Sequence, residues 1–221
     1  VSKGPGLDAE AIRLIRLEKK GGLLKSGTAS SYFPTKGAQK LLVILANFSD
    51  TSPAYSQTNF NSYMNEAGYN GTGSFKDYYL ENSRNQLEVT SVVTEWVTVP
   101  QGHDYYGPDA KWGEFAFDAV TAAYNQGVDF SQFDNDGDGI VEGVAIIHQG
   151  PGQEVTGNEN DIWSHSWTLA SAGYSLSART FNGVVVNQYT TQPELRNASG
   201  AMNTIGVICH EFGHNLGAPD F

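Results

Sequence analysis

The chain has 221 residues, 39% of them hydrophobic, enough to bury one substantial core in a single domain or large subdomain. Its 24 acidic residues against 13 basic ones give a formal charge of −11, which argues against nucleic acid and anionic membrane as partners and suits a secreted protein that collects calcium. A single cysteine, Cys209, excludes an intrachain disulfide, and no apolar run reaches the ~18 residues needed to span a membrane.

Residues 1–36 read as a peripheral linker or prodomain remnant, with a short charged helix over 7–20 and then a Gly/Ser/Thr stretch. No signal peptide is visible, and Val1 is expected to be a trimmed start. The folded body is placed at 37–221. It opens with LLVILANF from Leu41, a continuous apolar run of the length of a strand buried on both faces. GYNGTG (68–73) reads as a turn. Ser74 is expected to cap a helix, FKDYYLEN, with Phe75, Tyr78 and Tyr79 facing the core. A β-branched strand follows over 87–99, ended by Pro100. After the aromatic loop HDYYG, a helix over 110–125 carries Trp112, Phe115, Ala116 and Ala119 on one side.

The stretch FDNDGDGIVE holds the first chemical motif, D-x-D-x-D-G, the first half of an EF-hand-type calcium loop. Asp134, Asp136 and Asp138 aim at one centre, the carbonyl of Ile140 can add a ligand, and Glu142 takes the ninth place. Ala145 stands where an EF-hand has its bidentate glutamate, and the VAIIH that follows is a strand by composition, so this is no helix–loop–helix pair. An acidic surface turn is the alternative, although three alternating aspartates repel one another without a cation. Beyond Gly150-Pro151-Gly152, a polar loop to Asp161 leads to two strand segments, 162–167 and 184–190. His148 and His165 lie at or inside strands and His103 in an exposed loop, and all three read as structural before they read as ligands. Triplets of the N-x-S/T form at Asn47, Asn70 and Asn197 carry no weight, being frequent by chance.

The second motif closes the chain. His210-Glu211-Phe212-Gly213-His214 is H-E-x-x-H on an expected helix, striped by Ile205, Ile208, Phe212 and Leu216, capped by Asn203 or Thr204 and stopped by Gly217. Residues four apart on a helix lie one above the other, so His210 and His214 can offer nitrogens to one zinc ion. Glu211 sits ~100° round from His210, poorly placed as a ligand and well placed to take a proton from water at the metal. The extension H-E-x-x-H-x-x-G-x-x-D brings Asp220 to the place of the third metzincin ligand, a carboxylate where a histidine is usual; a ligand beyond Phe221 is the alternative. Cys209 reads as a small buried hydrophobe.

Taken together and in order, LLVILANFSD, GTGSFKDYYLENSRNQLEV, the YYG of Tyr105 to Gly107, DNDGDGIVEGVAIIHQGPGQE, IWSHSW and HEFGHNLGAPD resemble the immune inhibitor A-type peptidases, the M6 family of secreted bacterial metalloproteases, over 41–221. The resemblance implies a zinc endopeptidase acting on protein or peptide substrates, with His210, His214 and Asp220 as ligands and Glu211 as general base. It further implies secretion, structural calcium and a prodomain that must be removed. The expected architecture is an α/β zincin of metzincin type: a twisted mixed sheet backed by helices, the active-site helix beneath it, and an edge strand, 162–167 or 184–190, that pairs with substrate. Two other readings stay open: a zinc hydrolase of a non-peptide amide or ester, and a calcium-stabilised module without activity.

The two methionines, Met64 and Met202, both precede the histidine motif, which leaves no place for a Met-turn. The chain is therefore expected to be the upper part of a catalytic domain whose lower subdomain follows Phe221. That missing portion is a candidate partner, and the apolar side of the zinc helix is expected to face water without it.

Overall fold

The computed structural model describes residues 32–219. The expected helix over 7–20 and the last two residues, Asp220 and Phe221, lie outside them. The architecture is organised around β1 (Gly37–Asn47), whose residues Leu41 to Ala46 are wholly buried, as a continuous apolar run requires. Alternation sends them to two cores. Leu42, Ile44 and Ala46 pack under α4 (Trp112–Asn125), with Phe115, Ala116 and Ala119. Leu41, Val43 and Leu45 pack under α1 (Gln57–Asn65), α2 (Phe75–Asn82) and the terminal helix α6 (Ile205–Asn215).

The main sheet runs β2-β1-β5-β9-β6, where β2 is Leu87–Val93, β5 Val144–Pro151, β6 His165–Thr168 and β9 Gln188–Leu195. The first four strands are parallel and β6 is an antiparallel edge. Beyond β2, β3 (Val97–Thr98) continues the pairing along β1. A small second sheet joins β4 (Ile140–Val141), β8 (Val184–Val186) and β7 (Thr180–Phe181) in the order β4-β8-β7. The α/β class with a mixed sheet and helices is as the sequence predicts. Among the described residues no helix is long and apolar enough to cross a membrane.

Several local expectations are corrected. The strand over 87–99 is broken, because Thr94 turns its hydroxyl to the Leu45 amide (3.1 Å) while its own N–H reaches the Val43 carbonyl (2.9 Å). The segment 184–190 divides at Asn187 between two sheets, with β8 in the small one and β9 inside the large one. Tyr78 points outward at 42% exposure, since only Phe75 and Tyr79 fall on the buried side of α2. Short helices α3 (His103–Tyr106) and α5 (Gln153–Thr156) occupy stretches that read as loops, and a 3-10 turn precedes α4. The helix α1 was not anticipated; Ser56 and Asn59 form its capping box, and Phe60, Tyr63 and Met64 recur on its buried side.

Two corrections bear on the site. Phe33 lies inside the stretch read as linker, yet it is 1% exposed, edge-on to Phe212 at 4.8 Å, and its N–H donates to the Asn215 carbonyl at 2.7 Å. The apolar stripe of α6 does not face water either. Ile208 and Phe212 are fully buried against α1, α2 and the sheet, with Ile205 and Leu216 packed beside them. Truncating Phe33 to alanine is expected to cost about 3–5 kcal/mol, as for other buried phenylalanines, in urea unfolding. A cost under about 1 kcal/mol would return this residue to the linker.

Candidate metal centre

The helix α6 enters from Thr204, which holds extended dihedrals at the cap position without a side-chain cap bond; the Asn203 side chain instead accepts the Thr204 N–H at 2.9 Å. Gly217, at φ 91°, turns the chain so that Ala218 folds back on the last turn, its N–H on the Gly213 carbonyl (3.0 Å). Two phenols hold the helix from the α1/α2 side. Tyr63 donates to the Thr204 carbonyl at 3.0 Å and Tyr79 to the Cys209 carbonyl at 2.6 Å. Cys209 is buried, as expected, and burial pushes its thiol up to about 12, where it is inert as a nucleophile.

This seating puts His210 on the exposed side, His214 half-buried and Glu211 buried at 4% exposure. The two imidazoles stand 5.1 Å apart between ring centroids and nearly perpendicular, at 86°. The turn at Gly217 has a chemical consequence, because the Ala218 carbonyl lies 2.8 Å from His214 Nδ1. A carbonyl only accepts, so Nδ1 carries the proton and Nε2 keeps the lone pair that a metal requires. The pair therefore fits a divalent metal of zinc's type by donor chemistry and by spacing. Among the described residues no third potential ligand gathers with them, and Asp220 lies outside that range.

In the aspartate loop, ligand oxygens of Asp134, Asp136 and Asp138 come within 4.8 Å of one another. The loop is shaped from within. Asp134 accepts the N–H groups of Asp138 (3.0 Å) and Gly139 (2.9 Å), and Asp138 accepts that of Ile140 (2.8 Å). Glu142 is turned inward at 3% exposure, its carboxylate taking the backbone N–H groups of Asn135 and Asp136, both at 3.2 Å. Burial pushes that carboxyl up to about 7. Ile140 opens β4, paired with Val185. Sequence reading missed Asn135, which accepts the Lys40 N–H at 2.8 Å and donates to its carbonyl at 3.0 Å, tying the loop to β1. No spacing rule marks that residue. The loop also leads to Gly143, packed so closely on α6 that a Cβ there would sit 2.5 Å from Asn215 Nδ2.

The remaining histidines are placed on the opposite side of the sheet. His148 is 1% exposed, its Nδ1 on the Gln149 carbonyl at 2.9 Å. His165 is equally buried, with Nδ1 on the Trp163 carbonyl at 2.7 Å and its ring stacked on Trp112 at 4.7 Å. His103 is not in an exposed loop; it begins α3 and pairs with the buried Asp161 at 2.9 Å.

With this geometry in hand, the chain can be set beside known proteins. A family profile described as the immune inhibitor A peptidase M6 catalytic domain matches residues 28–221. The chain belongs to the M6 peptidase family. Immune inhibitor A of Bacillus thuringiensis subsp. alesti is 35% identical over 179 residues, 66% of this chain and 25% of that protein. The pre-pro-metalloprotease PrtV of Vibrio cholerae serotype O1 (strain M66-2) is 24% identical over 265 aligned positions, 97% of this chain and 28% of that protein. The chain thus spans about a quarter of the length of the curated relatives it matches. The M6 match begins before Phe33, in accord with the burial of that residue.

Burial lowers both His148 and His165 from 6.5 to about 4, which fixes the sign of a pH effect. The unfolded chain binds protons at these groups before the native one does, so their stabilisation is complete above about pH 6.5 and is lost as pH falls towards 4. Each is expected to contribute up to about 1.4 kcal/mol per pH unit in that window. Glu142, pushed up to about 7, acts with the opposite sign over the same range, so urea midpoints between pH 7 and pH 5 are compared in a Glu142→Gln variant; a flat profile there contradicts the histidine effect.

Proposed function

We propose that the protein carrying this chain is a zinc-dependent endopeptidase in which His210 and His214 hold the metal and Glu211 is the general base. The observation that carries the reading is the pair of imidazoles on one face of α6, with His214 Nε2 left as ligand atom by the Nδ1 bond to Ala218. Family membership supports a metallopeptidase. Asp220 is proposed as third ligand by its place in H-E-x-x-H-x-x-G-x-x-D.

When bound, the zinc supplies Lewis acidity towards a scissile carbonyl and a water. The chain's residues do the rest. The buried Glu211, adjacent to His210 on the helix, takes the proton of the attacking water and returns a proton to the leaving amine. The edge strand β6, antiparallel to β9 and in contact with the end of α6 through Ser166 and Asn215 (3.5 Å), offers main-chain groups to an extended peptide. Export and removal of a prodomain are proposed on the pre-pro form named for the Vibrio relative.

Replacing Glu211 by alanine in the protein that carries this chain is expected to leave the bound zinc in place and lower peptide turnover about 10²–10⁴-fold. Retained turnover removes the general base from this position, and loss of the metal instead assigns Glu211 to the ligand set.

For the aspartate loop we propose a calcium ion held by Asp134, Asp136, Asp138 and the Ile140 carbonyl. Glu142 braces the loop from its inner side as well as standing in the ninth place. Ties to Lys40 and, through Gly143, to Asn215 connect that loop with β1 and with the end of α6. An ion bound only by the native state raises its stability by mass action. Melting temperature is therefore expected to fall on adding EGTA and recover in millimolar calcium; a curve indifferent to both leaves an acidic turn.

A further inference from the structure

Across the sheet from α6, on the face covered by α4, there is a cavity of about 700 Å³ lined by Trp112, Trp163, Asp109, Glu159, Gln153 and Asn160, among others. Its volume is that of a small-ligand or side-chain pocket. Its walls are held in place from several sides. The Trp112 indole N–H donates to the Gly107 carbonyl at 2.8 Å, and its ring stacks on His165 at 4.7 Å and 20°. Trp163 is joined to the same imidazole, because its carbonyl accepts from His165 Nδ1 at 2.7 Å. The Trp112 ring and the Trp163 main chain are thus both fixed by one buried histidine.

The rim is cross-linked as well. Gly107 lies so near Asn160 that a Cβ there would sit 2.0 Å from the Asn160 carbonyl oxygen, a contact only glycine permits. His103, four residues earlier, pairs with Asp161 at 2.9 Å, and Asp161 accepts from the Thr156 hydroxyl on its own side. The segments carrying Asp109 and Glu159 are therefore fastened to each other, and the space between them is formed before any ligand arrives.

Charge decides what such a space can hold. Asp109 and Glu159 are both exposed and, among the described residues, neither has an ion pair. The basic residues of the flanking segments are committed elsewhere: Lys111 to Glu114 at 2.8 Å and to the face of Tyr105 at 4.4 Å, His103 to Asp161 and Asp104. Two indoles with two uncompensated carboxylates repel anions and attract a cation with a flat or apolar body. A guanidinium satisfies every part of this set, stacking on indole while forking to carboxylate.

We propose that this cavity is a binding site for the cationic side chain of a basic residue, arginine above all, presented by a peptide or protein segment. It is separate from the histidine pair, which lies on the other face of the sheet, and it does not depend on a metal at α6. In the complex the guanidinium lies against Trp163 and Trp112 with Asp109 and Glu159 at its edge. Gln153 and Asn160 are the neutral hydrogen-bonding groups for the flanking main chain.

The test is calorimetric titration of the protein carrying this chain, with its metals in place and at low salt, with Nα-acetyl-arginine amide and with its neutral near-isostere Nα-acetyl-citrulline amide. The arginine probe is expected to saturate one site and to bind at least about tenfold more tightly than the citrulline probe. The double change Asp109→Asn, Glu159→Gln is expected to remove most of that preference. An equal loss of charge at Glu66→Gln, Glu81→Gln, exposed on the opposite face, is expected to leave affinity within about twofold. Trp163→Leu is expected to abolish saturable binding, with circular dichroism confirming the fold. Equal binding of the two probes, no saturable binding, or an equal loss in the Glu66/Glu81 control overturns the proposal, the last by showing mere attraction to an acidic chain.

Discussion

The Phe212 ring is enclosed by Phe33, Phe75 and Tyr79 at centroid separations of 4.8, 5.2 and 5.0 Å, and this enclosure fixes the rotation of α6 about its own axis. With ~100° between successive helical residues, His210 and His214 each lie ~200° from Phe212 and only ~40° from each other. Burying Phe212 therefore turns both imidazoles away from the core together. Glu211, ~100° from Phe212, is left at the margin, buried yet beside the histidines. Phe33 belongs to that enclosure although it precedes the first strand, so the chain closes over α6 from its N-terminal side as well.

The end of the same helix meets the sheet in a different manner. Asn215 is wholly buried; its carbonyl holds the Phe33 N–H and its side chain lies against Gly143 and Ser166. Gly143 follows directly on the aspartate loop, whose Asn135 grips β1 at Lys40. Order in the loop and the position of the helix end thus share a short physical path. Aromatic packing and two phenol hydrogen bonds position the front of α6, and the buried Asn215 positions its end.

Sequence showed the two motifs and the strands whose composition matches their burial: the apolar β1 and β5, the capping serine at Ser74, the turn at Gly217. It misled where burial is polar. β9 reads QYTTQPEL, yet Gln188 to Glu194 are all buried between β5 and β6. Glu194 is tolerated there because its carboxylate accepts the N–H groups of Ala54, Tyr55 and Gly150 at 2.7, 2.8 and 3.2 Å. Those partners lie 44 to 140 residues away along the chain, a distance at which no local pattern operates. The expectation of a wet apolar face on α6 failed for the same reason. The partners that cover it, α1 and Phe33, sit in stretches whose composition looks like loop and linker. Asn135 was invisible because its task is set by Lys40, on another strand.

The central proposal is that α6 presents two imidazoles to one zinc ion, with His214 held by the Ala218 carbonyl in the tautomer that leaves Nε2 as its ligand atom. Anomalous X-ray scattering recorded on both sides of the zinc edge, on crystals of the protein carrying this chain, tests it most directly. The account predicts one strong anomalous peak about 2.0–2.1 Å from Nε2 of His214 and from a ring nitrogen of His210. A peak bound through Nδ1 of His214, or a zinc ion located away from this pair, contradicts it.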